Sequence, residues 1–457
     1  MNGARRDTAF LGHPAGLGWL SASEVWERFS YYGMQALLVL YMTHYLLRPE
    51  HAAQVLGFGP FRHALEWAYG PLSPGALASA IFGLYAGLVY VTPLAGGLLA
   101  DRLIGRTPAV TIGALLMALG HFLMAFEASF LIALLCLLIG VGCFKGNIAS
   151  QVGDLYGEDD PRRADGFQIY YLGIQIAVIV SPLVCGTLGQ TVGWHWGFGA
   201  AGVGMVIGLL IYLAGRPAYP PEPMKKDGEI VERPPLTRRD WAAAAILVAL
   251  LPVLALSLVG NMQIFNAYLV WAEKNFRLVF FGHAIPITWM LSVDAVFSTV
   301  LMAGVILFWR WWATRWAEPD EITKMAIGVA TAALAPLMLA LAAMRVAATG
   351  HPVSLAWAFA FHFLNDLGFA NVLPVGLALY SRAAPKGLSG LMVGIYYLQL
   401  FLANMLVGWL GGLLGTMPAA RFWLLHVVLM ALAAAILFLV RAAAGRVLAP
   451  AYEAPTS

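Results

Sequence analysis

A run of charged and phenolic residues opens a long apolar stretch near the N-terminus. It contains two acids, one base and two phenols, spaced mostly three or four residues apart: Glu24, Glu27, Arg28, Tyr31 and Tyr32. A helix would place them on one face. A charge at the centre of a membrane helix costs about 2.5–3.5 kcal/mol, and such residues usually face a wet cavity. The run predicts a functional face that lines a wet cavity, and a structural Glu24–Arg28 ion pair is the alternative.

The composition is that of a polytopic membrane protein. Of 457 residues, 60% are apolar and 11% are charged, and the mean hydropathy is +0.76. Such a chain leaves no soluble domain. We read no signal peptide, so the first helix is expected to anchor the chain. Three cysteines lie in apolar runs and are interpreted as packing residues rather than disulfide partners: Cys136, Cys143 and Cys185.

Twelve apolar segments are long enough to cross a bilayer, and a polar, proline-rich segment separates them into two sixes. We predict an N-terminal six-helix bundle at 1–215, a cytoplasmic linker at 216–240 and a C-terminal six-helix bundle at 241–457. Lysine and arginine concentrate in alternate loops and at both ends, which predicts that both termini are cytoplasmic. The expected spans are 22–48, 77–101, 106–127, 129–155, 163–188, 193–215, 241–273, 285–312, 322–345, 353–381, 388–415 and 419–445.

A charged loop follows the glycine-rich end of the second span. Asp101 and Arg102 precede a Gly105-Arg106 pair. Small residues allow helices to approach closely, and charges at the cytoplasmic face would form a latch. Asp101 and Arg102 are therefore predicted to act as a gate rather than as substrate ligands. Two six-helix halves with a long linker indicate an all-α major facilitator fold, in which a central site opens alternately to either side.

The fourth span contains a second intramembrane charge. Lys145 lies among small residues, too deep for its ammonium to reach the interface comfortably. With Arg28 and Tyr32 it would form a cationic corner suited to a carboxylate. No metal-ligand cluster, phosphate-binding loop or nucleophile–base pair is readable. We therefore predict a protein that is neither an enzyme nor ATP-driven, with no catalytic residue, no metal and no cofactor.

Five sequence motifs occur in order along the chain: Glu24-x-x-Glu27-Arg28-Phe29-x-Tyr31-Tyr32-Gly33, Ala100-Asp101-Arg102-x-x-Gly105-Arg106, the segment 140–156, Gly166-Phe167-x-Ile169-x-Tyr171-x-x-Ile174-Gln175, and Leu373-Pro374-Val375-Gly376-Leu377 with Ala384-Pro385. In these motifs the chain resembles the proton-dependent oligopeptide transporter family of the major facilitator superfamily. The resemblance implies that Glu24, Glu27 and Arg28 couple protons, as the transported ion, to substrate movement. It implies that Arg28, Tyr32 and Lys145 hold the substrate carboxylate. It also implies that Tyr31 and Tyr90 line the peptide cavity.

Several positions depart from the family pattern. The helix 10 glutamate that would bind a peptide's amino group falls at Phe369, whose ring offers only a cation–π contact to an ammonium. Gln175 stands where an asparagine is expected, and Tyr396 stands in place of a helix 11 tryptophan. The proline expected after Lys145 is Gly146. The substrate site implied by the resemblance is therefore altered mainly where a free amine would bind.

Asp294 is a carboxylate that the family pattern does not contain. It replaces the asparagine of a helix 8 asparagine-proline pair, and we expect it to take over part of the lost amine site or of the proton coupling. A capping or packing role is the alternative. Asp366 is a second candidate, although Asn365 and His362 beside it would equally form a polar cluster for helix packing.

These residues favour a proton-coupled symporter of di- or tripeptides or peptide-like carboxylated substrates. Two alternatives stay open: a carrier of another carboxylated or anionic metabolite, and a substrate sensor without sustained transport. We expect a multi-pass monomer in a bacterial-type plasma (inner) membrane. Its partners would be the lipid bilayer and a small-molecule substrate, with no nucleic acid.

Overall fold

The chain folds as a succession of long helices. The computed structural model describes residues 7–157, 160–220, 237–385 and 388–448. In these residues eleven helices are long and apolar enough to cross a membrane. Ala15–Tyr41 is a further long helix of 27 residues that contains Glu24, Glu27 and Arg28. The α-helices are α1 (Ala15–Tyr41), α2 (Pro49–Ala52), α3 (Phe58–Tyr69), α4 (Pro74–Leu99), α5 (Arg106–Leu123), α6 (Phe130–Asp154), α7 (Arg162–Ser181), α8 (Trp194–Gly215), α9 (Arg238–Ser257), α10 (Val259–Met262), α11 (Ala267–Asn275), α12 (Trp289–Ala313), α13 (Glu321–Thr349), α14 (Ala356–Phe369), α15 (Leu373–Arg382), α16 (Ser389–Gly412) and α17 (Ala419–Leu448).

Other backbone geometries extend or connect these helices. A two-stranded hairpin, β1 (Val279–Phe280) and β2 (His283–Ala284), precedes α12. Phe281 and Gly282, which join the strands, both have positive φ, as a tight hairpin turn requires. Turns of π-helix occupy Met42–Leu46, Ala100–Ile104, Pro182–Gly186 and Leu188–Val192, and 3₁₀ turns occupy Glu127–Ser129, Arg216–Ala218, Gln263–Phe265 and Leu413–Gly415.

The prediction of one continuous seventh span at 241–273 was wrong. The helix stops at Ser257 and resumes fully only at Ala267. Asn266 has φ −125° and ψ −111°, outside the helical region. The side chain of Gln263 caps the break, since its Oε1 accepts the N–H of Ala267 and its Nε2 donates to His426 Nε2 at 3.1 Å. At the break, a side chain therefore accepts the backbone hydrogen bond that a helical carbonyl would otherwise accept.

Other element boundaries also differ from expectation. The tenth span, expected at 353–381, divides into α14 and α15, and Pro374 occupies the first turn of α15, where its missing N–H has no cost. The first helix begins at Ala15 rather than at 22, directly after Pro14. The segment expected as a loop before the second span contains the short helices α2 and α3.

The chain divides into two compact units. Unit 1 comprises Met1–Ala78, Leu88–Asp227 and Ala284–Ala295, and unit 2 comprises Ser79–Gly87, Gly228–His283 and Val296–Ser457. The predicted domain boundaries at 215 and 240 stay a prediction. Most of the predicted linker, together with Arg5 and Arg6 at the N-terminus, lies outside the described residues.

Glycines allow helix backbones to touch within each unit. In unit 1, a Cβ at Gly96 of α4 would lie 2.0 Å from the carbonyl oxygen of Gly142 on α6. In unit 2, a Cβ at Gly368 of α14 would lie 2.4 Å from the carbonyl oxygen of Gly328 on α13. The three cysteines are free, and Cys185 packs against Gly33. The cysteines are therefore not disulfide partners, as predicted, and a packing role for Cys136 and Cys143 stays a prediction.

Candidate functional site

A buried charged cluster lies on α1 in unit 1. The Nε of Arg28 is 3.0 Å from Glu24 Oε1 and 2.5 Å from Glu27 Oε2. All three residues are 3% exposed or less. One guanidinium therefore forms ion pairs with two carboxylates. All three groups are buried, and an unpaired charge there would strongly destabilise the protein.

Two phenols complete the α1 face. Arg28 Cζ lies 5.5 Å from the ring centroid of Tyr31, in cation–π geometry. Tyr32 interacts electrostatically with the same guanidinium. The two rings meet edge to face at 5.1 Å, so each orients the other. The structure therefore brings together all five α1 residues singled out from the sequence.

The cluster keeps unused hydrogen-bonding capacity. Among the described residues, Nη2 of Arg28, Oε2 of Glu24 and Oε1 of Glu27 have no hydrogen-bond partner. Buried polar atoms without partners are rare and call for an explanation. A free donor beside free carboxylate oxygens suits a site that receives an anion and a proton in turn.

Lys145 and Tyr90 form a second part of the site, on α6 and α4 of unit 1. Lys145 Nζ lies 5.0 Å from the ring centroid of Tyr90. The ammonium interacts electrostatically with Glu27, Glu24 and Arg28. Two cations and two carboxylates thus share one region, and their formal charges cancel. Gly146 leaves only one atom, Pro93 O at 3.9 Å, near the space that a Cβ would fill.

Tyr170 is a member of this region that the sequence did not reveal. It lies on α7, is 2% exposed, and interacts electrostatically with Glu24, Arg28 and Glu27. No spacing pattern in the sequence relates a tyrosine of α7 to the charged residues of α1. Only the tertiary structure shows that Tyr170 lies near them. Gln175, which the motif did single out, lies on the same helix and is half-buried.

Asp294 lies within α12, in the part of that helix that belongs to unit 1. The helix begins at Trp289, so Asp294 is not its N-terminal cap. Trp289 Nε1 donates to Thr187 Oγ1 at 2.8 Å and Ser292 Oγ donates to Ile179 O at 2.7 Å, which hold this end of α12 in place. Asp294 is half-buried, and its functional role stays a prediction.

The remaining predicted residues lie in unit 2. Phe369 ends α14 and is half-buried. Tyr396 is fully buried on α16, and its hydroxyl donates to Leu373 O at 2.6 Å, so that group is used in packing. His362 shares a hydrogen bond of 2.9 Å with Tyr268, and Asp366 accepts one from Asn365 at 3.2 Å.

The predicted gate at the end of α4 forms a small ionic network. Asp101 Oδ1 lies 3.5 Å from Arg106 Nε, and Arg106 also pairs closely with Asp154 at the end of α6. Arg102 is exposed to solvent. Arg106 is therefore the basic residue that ties this loop to α6, whereas the sequence pointed to Arg102.

A family model, related sequences and solved structures all match this chain to the same class of protein. A family model described as the POT family matches residues 107–233 and 239–424. The peptide transporter YePEPT of Yersinia enterocolitica is 31% identical over 88% of each chain. A di-/tripeptide transporter of Lactococcus lactis subsp. cremoris is 29% identical, over 86% of this chain and 88% of its own. A crystal structure of a peptide transporter in complex with sulfate superposes with a TM-score of 0.83 at 26% identity, over 97% of each chain.

These matches confirm the predicted fold class. The helical architecture is that of the major facilitator fold, an all-α integral membrane protein. The matching family is one of transporters, so the protein is a membrane transporter and not an enzyme.

Proposed function

Because the chain belongs to the POT family, we propose that it is a proton-coupled symporter of di- and tripeptides or peptide-like carboxylated substrates. The observation that carries the proposal is the buried Glu24–Glu27–Arg28 cluster, which has unused donors and acceptors. The names of the Yersinia and Lactococcus relatives support peptides as the substrate class.

The cationic side of the cluster is suited to a substrate carboxylate. Arg28 Nη2 offers a free donor, and Lys145 offers an ammonium above Tyr90. Charge-assisted hydrogen bonds of this type are about twice as strong as neutral ones. The arriving carboxylate would compete with Glu24 and Glu27 for Arg28.

That competition links the substrate to the proton. A glutamate that loses part of its pairing with Arg28 takes up a proton more readily, because an adjacent cation stabilises its ionised form. Proton and substrate then favour the same conformational change, and alternating access carries both in one direction. Asp101 and Arg102, with Arg106, would open and close the cytoplasmic face.

We place the protein as a monomer in a bacterial-type plasma (inner) membrane, with both termini cytoplasmic. The support is the concentration of lysine and arginine in alternate loops. The coupling ion would be the proton, with no other cofactor.

A second candidate function is favoured by one observation. Phe369 places a phenyl ring where the family resemblance expects a carboxylate for a peptide's amino group. Transport of a carboxylated metabolite without a free amine would not need that carboxylate. Zwitterionic peptides remain substrates if Asp294 supplies the missing charge.

Counterflow in proteoliposomes distinguishes the two functions. Vesicles loaded with one substrate would be offered radiolabelled dipeptides, tripeptides, N-acetylated peptides and amine-free organic acids, with and without an inward proton gradient. Gradient-driven accumulation of free di- and tripeptides supports the proposal. Accumulation of amine-free acids alone would favour the second function, and binding without exchange of any compound would indicate a sensor.

A further inference from the structure

An aromatic cluster with two arginines lies at the end of α12, in unit 2. Arg310 and Arg315 are both exposed, and Arg315 Cζ lies 4.6 Å from the ring centroid of Trp311, in cation–π geometry. Tryptophan is enriched where a membrane meets water, so the cluster marks the level at which α12 leaves the bilayer. Its five rings contact one another at centroid distances of 4.7 to 6.0 Å: Phe308, Trp309, Trp311, Trp312 and Trp316.

The carboxylates next to this cluster are committed to other cations. Each acid between α12 and the first turn of α13 forms an ion pair: Glu318 with Lys324, Asp320 with Arg441 at 3.0 Å, and Glu321 with Arg382 at 2.6 Å. In the part of the chain that the structure describes, no carboxylate pairs with Arg310 or Arg315. The cluster therefore presents two positive charges that the protein does not neutralise.

Two of the tryptophans add neutral donors beside these charges. The indole N–H groups of Trp309 and Trp312 donate to protein oxygens, at 2.7 and 3.2 Å. Trp311 and Trp316 are 46% and 51% exposed, and among the described residues neither indole donates to a protein group. Exposed indole donors next to guanidinium groups suit the oxygens of a phosphate, which accept several hydrogen bonds at once.

The surface of α12 that leads into the membrane from the cluster is apolar and exposed. Of the most apolar stretch of α12, 22% is buried, the lowest share among the eleven spans described. Val300 and Leu307, 62% and 64% exposed, lie on the same helical face as Trp311, and a Cβ at Gly304 between them would meet no atom within 4 Å. An exposed apolar face of this kind marks a contact surface. Because it lies on a membrane-spanning helix, directly below two cations, an amphiphile with an anionic head group matches both parts.

We propose that Arg310, Arg315 and the aromatic cluster bind the head group of an anionic phospholipid, whose acyl chains lie along the exposed face of α12. The lipid phosphate accepts charge-assisted hydrogen bonds from the two guanidinium groups, and the exposed indoles of Trp311 and Trp316 flank it. A zwitterionic lipid binds less tightly, since its own ammonium group offsets the attraction of its phosphate to basic residues at the interface. All these residues belong to unit 2, and the proposal does not depend on the transported substrate or on the coupling ion.

Lipid titration followed by native mass spectrometry tests the proposal. The purified full-length protein in detergent would be titrated with phosphatidylglycerol, and with phosphatidylcholine of the same acyl chains. We expect the wild type to bind phosphatidylglycerol more tightly. The double variant Arg310→Gln with Arg315→Gln should weaken that binding about 30-fold, from about fivefold for each arginine near a membrane surface. A wild type without this preference, or an unchanged affinity in the double variant, would overturn the proposal.

Arg345→Gln with Arg421→Gln is the matched control. Both arginines are exposed and belong to unit 2, near the end of α13 and at the start of α17. Successive spans alternate in direction, so these two residues lie at the opposite membrane face from the aromatic cluster. The control removes the same charge and should leave the affinity for phosphatidylglycerol unchanged. An equal loss in both double variants would mean that only the net charge matters, and would overturn the assignment to this cluster.

Single variants keep the test decisive if the double variant does not fold. Arg310→Gln and Arg315→Gln should each weaken phosphatidylglycerol binding about fivefold, and wild-type affinity in both would overturn the proposal. Glycerol 3-phosphate, which has the phosphate but no acyl chains, distinguishes a lipid from a free anion. We expect it not to displace the lipid at equal concentration. Displacement at equal concentration would assign the cluster to a soluble anion and would also overturn the proposal.

Discussion

Arg28 is the residue on which the acids and phenols of α1 converge. It pairs with Glu24 and Glu27, lies beside the ring of Tyr31 and interacts electrostatically with Tyr32. Removing one partner of a buried ion pair typically destabilises a protein by about 3–5 kcal/mol, because the other charge is left unpaired. An Arg28→Ala variant would therefore combine effects on folding with effects on binding. Lys145, which is half-buried and stacked on an aromatic ring, is a better probe of anion recognition.

Lys145→Ala should weaken binding of a carboxylated substrate. The loss of one hydrogen bond to a charged group corresponds to about 1.5–3 kcal/mol, or roughly 10- to 150-fold in Kd. Isothermal titration of the purified protein with a dipeptide measures this loss. The same dipeptide with an amidated C-terminus is the control and should lose less. Equal losses for the free and amidated forms would assign Lys145 to folding or gating.

Asp294→Asn should selectively impair substrates that have a free amino group. The variant removes the carboxylate that we expect to replace the one missing at Phe369, and amine-free acids should be transported as before. Phe369→Glu in the same background should partly restore dipeptide uptake. Counterflow of a dipeptide and of its deaminated analogue measures the difference. Equal impairment of both compounds would exclude Asp294 from amine recognition.

The α1 residues could be predicted because their spacing alone places them on one helical face. Tyr170 could not, since its partner is distant in the chain and no repeat or motif marks its hydroxyl. Tyr396 shows a further limit. Sequence position indicated a cavity residue, whereas its hydroxyl bonds to a backbone carbonyl of α15, a contact that no local pattern encodes.

At the level of elements, α4 and α6 lie in backbone contact. Glycines near the end of α4 permit this contact. The sequence predicts such a close approach of helices next to the predicted gate. At Gly96 a methyl group would meet the backbone of Gly142, whereas at Gly97 a Cβ would meet no atom within 4 Å. Adjacent glycines on one helix therefore have opposite tolerance to a side chain.

Gly96→Ala should destabilise the protein, and Gly97→Ala should not. Forcing a methyl group into a filled contact typically costs about 1–3 kcal/mol, whereas an alanine in open space slightly favours the helix. The melting temperature in detergent, measured by tryptophan fluorescence, reports the difference. Similar melting temperatures for the two variants would contradict the close contact of α4 and α6.

The segment before α1 is held by Asp7 and by Arg162 at the start of α7. Asp7 accepts hydrogen bonds from the N–H groups of Ala15 at 2.9 Å and Ala9 at 3.0 Å. These two bonds hold the pKa of the Asp7 carboxyl below its usual value. Arg162 Nη1 donates to the carbonyls of Asp7 and Gly12. The segment is therefore tied to α1 and to α7.

Asp7→Asn should reduce stability at neutral pH but not in acid. A carboxyl whose pKa is lower in the folded state stabilises the protein above its unfolded pKa of about 3.9, and this contribution is lost as the pH falls through the folded value. The difference in melting temperature between wild type and variant should therefore be full at pH 7 and shrink as the pH falls below about 3.9. Glu50→Gln, an exposed acid elsewhere in unit 1, serves as the control. A difference as large at pH 3 as at pH 7 would contradict the ionised role of Asp7.

Most helices could be predicted from hydropathy, but the breaks in the seventh and tenth spans could not. The run around Gln263 and Asn266 is apolar enough to read as one helix. It is interrupted because side chains from distant parts of unit 2 supply partners: Ser79 accepts from Asn266 and His426 accepts from Gln263. Such partners are fixed by tertiary packing and leave no trace in a hydropathy profile.

At the scale of the whole molecule, the composition predicts a helical membrane protein, because a bilayer accommodates few backbone structures other than helices. The order of the sequence motifs predicts the family. Assignment of Ser79–Gly87 to unit 2 and of Ala284–Ala295 to unit 1 does not follow from sequence, since it depends on which helices pack together. The central claim concerns one site within unit 1, where two carboxylates and two cations couple a proton to a carboxylated substrate.

Substrate-driven proton entry tests that claim most directly. Proteoliposomes containing a pH-sensitive dye would receive an external dipeptide under an inside-negative potential, with wild-type protein and with Glu24→Gln and Glu27→Gln. We predict acidification with the wild-type protein, and none with either variant, both of which should still exchange labelled dipeptide. Dipeptide entry without acidification in the wild type, or undiminished acidification in both variants, would contradict the account.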